Sequence, residues 1–206
     1  MKRQKQIILA ARVVSTVFTP FYLPMLGLIV MFLFSYLNRY PWVYKLQVLA
    51  VAYLFTVVLP PVLIGLYRRY QGWTPIELGQ RERRMVPYII SILCYFVCVY
   101  DMQQMHMPHF MGSIIMAALA VQIVCAAINV WWKISTHTAG IGGVGGALFI
   151  FSELLYFNPV WWMCLVIAIG GLVGTSRMIL RQHSLSQVVA GFCVGFVASA
   201  AAILFL

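Results

Sequence analysis

Residues 110–132 read FMGSIIMAALAVQIVCAAINVWW, an uninterrupted run with no charged side chain. A helix needs about 20 apolar residues to cross a bilayer core, and a helix that is apolar on every side must be buried in lipid or in other helices. The run ends on Trp131 and Trp132 with Lys133 behind them, the aromatic and basic edge of a membrane interface. Working outward, similar runs recur at 13–37, 46–67 and 87–105 before it, and at 138–157, 159–179 and 184–206 after it. Pro20 and Pro24 interrupt the first, which reads as a short interfacial helix followed by a shorter span. The expected fold is therefore all-α, a polytopic transmembrane helical bundle of six to seven spans.

Composition excludes the other classes. The chain has 206 residues, 63% hydrophobic and 9% charged, where soluble domains run near 45–50% apolar and about 25% charged. Cys94, Cys98, Cys125, Cys164 and Cys193 all lie in apolar runs and read as packing residues, not bridges or ligands. Residues 1–37 lack a small-residue cleavage pattern, so a removable signal peptide is not expected. The chain reads as a single integral membrane domain over 1–206, with no soluble domain, no internal repeat and no nucleic-acid partner. Gly142/Gly146, Gly170/Gly174 and Gly191/Gly195 are small-xxx-small pairs that let helices approach closely in lipid. The glycines at 140–146 lack the Gly-Lys-Ser/Thr of a nucleotide loop and follow no strand, so nucleotide binding is rejected.

The charges that remain are informative by position. With alternating spans, linkers 68–86, 133–137 and 180–183 share the face of the N-terminus. Every Lys and Arg except Arg39 and Lys45 collects there, within a net charge of +10. Positive-inside orientation explains such a bias and predicts a cytoplasmic face, in a bacterial inner membrane; an anion site would add to it. Two histidines stand on that face at helix starts. His137 follows Lys133-Ile134-Ser135-Thr136, and His183 follows Ser176-Arg177 and Arg181. Helix starts present free N–H groups and partial positive charge, so the cluster suits a phosphate.

This spacing resembles the type 2 phosphatidic acid phosphatase superfamily. Ser176-Arg177-x5-His183 is similar to its third signature, Ser-Arg-x5-His-x3-Asp, and Ser135-Thr136-His137 to its second, Pro-Ser-Gly-His. Arg81-Glu82-Arg83-Arg84 with Pro87 is a loose counterpart of the first, Lys-x6-Arg-Pro. The resemblance spans about 80–200, the phosphatase-like region, and draws nothing from the first 80 residues. It implies hydrolysis of a lipid phosphate or diphosphate through a phosphohistidine, with no metal or cofactor. His183 would be the nucleophile, His137 the general acid, and Arg177 a catalytic phosphate ligand. Lys133, Ser135, Ser176, Arg83 and Arg84 would hold the phosphate. Substrates implied are lipid phosphates, such as phosphatidic acid, or a polyprenyl diphosphate, met within the bilayer. The chain departs from the pattern at Ile134, at Thr136 and at Gln187, which stands where the pattern has Asp. Gln187 or Glu82 is then the candidate to orient a histidine.

Other chemistries fit less well. Asp101 and Glu153 lie deep in spans, roughly 20 Å or more from the histidine face at 1.5 Å per residue, whereas Glu77 and Glu82 share that face. Asp101, His106 and His109 could form a metal site, though a polar turn is the simpler reading. One Asp in the chain leaves nothing for the Asp-rich motifs of magnesium-diphosphate enzymes, and so few intramembrane acids argue against an ion-coupled transporter. The rival reading is a non-catalytic, phosphatase-like lipid-binding membrane protein.

Overall fold

The computed structural model describes residues 2–74, 77, 80, 82–105, 107 and 109–205. Arg81 and His106, and the side chain of His109, lie outside the described residues. Among the described residues the chain forms eight helices: α1 (Lys2–Val17), α2 (Leu23–Phe34), α3 (Trp42–Tyr70), α4 (Met85–Gln104), α5 (His109–Trp131), α6 (Thr136–Leu155), α7 (Val160–Ile179) and α8 (Leu185–Leu204). The chain is an integral membrane helical bundle, with six helices long and apolar enough to cross a bilayer.

The first apolar run does not form one span. It splits into α1 and α2 around Pro20, and Pro24 falls in the first turn of α2, where a missing N–H leaves no bond unmade. With 12 residues, α2 is about 18 Å long, short of the roughly 30 Å hydrocarbon core. Its start packs against Gly140, one turn inside the histidine face. Its far half joins Leu28, Met31 and Phe32 to Met107, Met111, Phe151 and Ile203. The short helix thus runs from the end of the bundle where α6 starts toward the end where α6 and α8 finish.

In α3, Pro60 and Pro61 remove two backbone donors, and the ladder shifts to π register over Tyr53–Val58, with Leu59 N–H reaching the Leu54 carbonyl. At the corner before α3, buried Lys45 donates to the Asn38 carbonyl at 2.6 Å and to Asn38 Oδ1 at 2.9 Å, and lies 4.7 Å from the Trp42 ring centroid. Far from the histidines, this lysine clasps the turn that joins α2 to α3.

The α6/α8 pair positions the site. A Cβ at Gly142 or Gly146 would overlap the carbonyl of Phe192 or Phe196, and one at Gly195 would overlap the Ala139 carbonyl. At Gly191 it would lie 2.6 Å from both the Ser135 carbonyl and Thr138 Oγ1. The glycines of each helix therefore admit the backbone of the other. The third pair, Gly170/Gly174, receives side chains instead, Phe192 and Val188.

Candidate phosphate site

The starts of α6 and α8 lie side by side. Ser135 caps α6, its Oγ accepting from Thr138 N–H at 3.5 Å, and its own N–H donates to the Gln187 carbonyl at 3.4 Å. Ser184 caps α8 in a reciprocal capping box with Gln187: Ser184 Oγ accepts from Gln187 N–H at 3.4 Å, and Gln187 Oε1 accepts from Ser184 N–H at 3.3 Å. That second bond fixes the amide, because a backbone N–H can only donate and must meet the oxygen. The same Oε1 lies 3.0 Å from His183 Nδ1. Nδ1 must then carry the proton, which leaves the Nε2 lone pair free.

Cations surround this imidazole. Arg84, Arg177 and Lys133 all act electrostatically on His183, and Arg84, Arg177 and His183 act on His137. Burial first, then Arg84, pushes His183 down to about 3 from an ordinary 6.5, against a smaller upward pull from Gln187. Burial, then Arg84 and Arg177, lowers Lys133 as well. No carboxylate is among the groups acting on either residue. An arriving phosphate would supply the missing negative charge.

Arg84 is tied to the start of α6: Nη1 donates to the Ile134 carbonyl at 3.1 Å, and Nη2 to Thr136 Oγ1 at 3.5 Å and to the Tyr88 hydroxyl at 3.4 Å. Thr136, where the pattern has Gly, thus meets a guanidinium. Arg177 Nη1 donates to Ser15 Oγ of α1 at 2.6 Å. Arg177 Nε and His137 Nδ1 are buried without a hydrogen-bond partner among the described residues. After Arg177 the helix closes in a Schellman turn, Gln182 N–H to the Arg177 carbonyl and Arg181 N–H to that of Met178, with Arg181 at φ 53° where glycine is usual.

The structure thus brings together His183, His137, Arg177, Arg84, Lys133, Ser135 and Gln187. It does not bring in three other expected residues. Arg83 turns outward to Glu77, at 3.1 Å, and to the Trp73 ring, 4.6 Å from its centroid. Ser176 is buried, and its hydroxyl donates to the Leu172 carbonyl one turn back, at 2.8 Å. Glu82 is exposed on the turn before α4. Among the described residues no three His, Cys, Asp or Glu side chains group as metal ligands.

Sequence reasoning missed α1. Its Arg12, Ser15, Thr16 and Thr19 line a cavity of about 600 Å³ together with His137, Arg177 and Gln182, the remaining wall being made by apolar side chains such as Val57 and Leu180. No signature marks them; only the hydroxyls spaced along a basic, amphipathic N-terminal segment hint at a polar face. A second, apolar cavity of about 830 Å³ runs between α2 and α5–α7, from Thr136 near the site down to Trp162 and Phe157.

Paired helix starts that carry histidines among guanidinium groups, inside a membrane bundle, make a cationic site whose chemistry suits an anion such as phosphate. Residues 129–206 match the model of the PAP2 superfamily, so that over this stretch the chain is similar to it. Comparison with curated proteins and with solved structures gave no match. The matched stretch holds both histidines and Arg177, but not Arg84 or α1.

Proposed function

We propose that the protein hydrolyses a lipid phosphate or diphosphate through a phosphohistidine on His183. The observation that carries this reading is the Gln187 amide, locked by Ser184 N–H, which leaves His183 Nε2 as the free nitrogen among Arg84, Arg177 and Lys133. A neutral imidazole is a competent nucleophile near pH 7. Nε2 attacks phosphorus and forms the N–P bond as the bond to the lipid oxygen breaks. His137 gives a proton to that oxygen. Water then attacks the phosphohistidine, loses its proton to His137, and orthophosphate leaves. The guanidinium groups and the ammonium stabilise charge on the equatorial oxygens, the main requirement of phosphoryl transfer. The apolar cavity, within the roughly 300–1,000 Å³ of ligand pockets, suits the hydrocarbon part of a substrate that stays in the membrane.

The test is orthophosphate release from phosphatidic acid and from a polyprenyl diphosphate, in mixed micelles with the purified full chain. Wild type should release phosphate from at least one, and His183→Ala should lose at least about 10³-fold, with an unchanged elution profile. His137→Ala should lose about 10²–10⁴-fold, as for a positioned general acid, and most on the substrate with the poorer leaving group. Wild-type turnover in His183→Ala sinks the proposal. The non-catalytic reading draws on the absence of a carboxylate at His183; lipid binding without turnover in wild type would favour it.

A further inference from the structure

The cavity under α1 adjoins the cluster around His183 on its His137 and Arg177 side. It is lined by His137 and Arg177 but not by His183. In an in-line displacement the leaving oxygen departs opposite the nucleophile, and the group that protonates it is His137 in the reading above. The cavity beyond His137 is then where the leaving group lies. Its walls are mixed: Arg12, Ser15, Thr16, Thr19 and Gln182 contribute a cation, hydroxyls and an amide, beside the apolar Phe21, Val57, Pro61 and Leu180. The buried Nδ1 of His137 and Nε of Arg177 have no hydrogen-bond partner among the described residues, the imidazole of His137 otherwise meeting the Ser15 backbone. Arg12 is exposed, and the carboxylate ion pair described on this face, Glu77 with Arg83, does not line the cavity.

We infer that this cavity is a second phosphate subsite, with Arg12 and Ser15 of α1 holding the inner phosphate of a lipid diphosphate. The inference rests on the proposed function and narrows its substrate to a diphosphate ester. His183 Nε2 attacks the terminal phosphorus, the bridging P–O bond breaks, and the bridging oxygen stays with the lipid monophosphate held by Arg12. Water then releases the terminal group, so that lipid diphosphate and water give lipid monophosphate and orthophosphate. Ser15 Oγ, now accepting from Arg177, exchanges that bond for one to the inner phosphate.

Binding tests this without turnover. Inorganic diphosphate and orthophosphate are titrated calorimetrically into the full chain in detergent. Wild type should bind diphosphate at least tenfold tighter. Arg12→Gln should cut that ratio roughly tenfold, Arg12→Lys should keep part of it, and Lys5→Gln, elsewhere on α1, should leave the ratio as in wild type. Equal affinity for both anions in wild type overturns the inference, and so does an unchanged ratio in Arg12→Gln or an equal fall in Lys5→Gln. Hydrolysis assays on the same preparations separate the two ideas. A ratio that follows Arg12 without release from any lipid refutes the hydrolase and keeps the subsite. Release from phosphatidic acid with a ratio indifferent to Arg12 does the reverse.

Discussion

Gln187 stands where a phosphatase signature has a carboxylate, and the capping box explains how an amide can serve there. Its side chain accepts from Ser184 N–H and from His183 Nδ1 with one oxygen. Gln187→Glu keeps the length and both acceptor contacts, and adds a charge that favours the imidazolium formed during transfer. It should retain or raise kcat and shift the His183 titration upward, read by histidine NMR. Gln187→Ala removes the acceptor and should lower kcat about two- to tenfold, the worth of one hydrogen bond. His183 also sets a pH dependence. Its pKa is about 3 in the fold against 6.5 when exposed, so between those values the unfolded chain binds a proton that the native site refuses. Stability from this residue is complete above about pH 6.5 and declines as pH falls toward 3. The thermal midpoint in detergent should therefore drop on acidification, and less steeply in His183→Gln. The two histidines and Arg177 were legible as a cluster because their spacing follows helix starts. The roles of Arg83 and Ser176 were not, since spacing cannot say that one guanidinium turns to Glu77 and Trp73, or that one hydroxyl bonds its own helix.

At the scale of elements, the glycines divide into those that admit a backbone and those that do not. Gly195→Ala must push α6 from α8 at the Ala139 carbonyl, and overpacking of this kind costs about 1–3 kcal/mol. Gly171 meets nothing within 4 Å, so Gly171→Ala should match or exceed wild-type stability. Comparing thermal midpoints of the two variants checks this. Gly195→Ala should also lose activity, because the pair it separates carries His137 and Gln187. The αL residue Arg181 offers a converse case: Arg181→Gly relieves a left-handed conformation worth roughly 1–2 kcal/mol and should raise the midpoint. The long helices were readable from apolar length alone, and the small-residue pairs announced close packing. What length could not give was the fate of 13–37. There the prolines decide, and they leave a 12-residue helix whose start packs against Gly140, a turn inside the histidine face.

For the whole molecule, the alternation of helices puts Gln71 on the histidine face and Asn158 on the other. Gln71→Cys and Asn158→Cys should react with a membrane-impermeant maleimide from opposite sides of intact cells. Positive-inside bias predicts that Asn158→Cys labels from outside. Labelling of Gln71→Cys instead would place the histidines toward the exterior and the substrate in the outer leaflet. The contribution of α1 was invisible to sequence at this scale too. A polar wall assembled from one end of the chain has no fixed spacing to motifs more than a hundred residues away, and Ser15 meets Arg177 only through the packing of α1 on α7.

The backbone-to-backbone seating of α6 on α8 has one more consequence, for the response to the lipid around it. Two helices that meet backbone to backbone at Gly142, Gly146 and Gly195 have little there to repack, so His183 and His137 travel as one piece. The 12-residue α2, shorter than the hydrocarbon core, is instead the element on which a thicker or thinner bilayer would act first. Reconstituted into lipids of graded chain length, the protein should hold the kcat of the proposed hydrolysis nearly constant while KM follows thickness, the membrane tuning admission and leaving the chemistry alone.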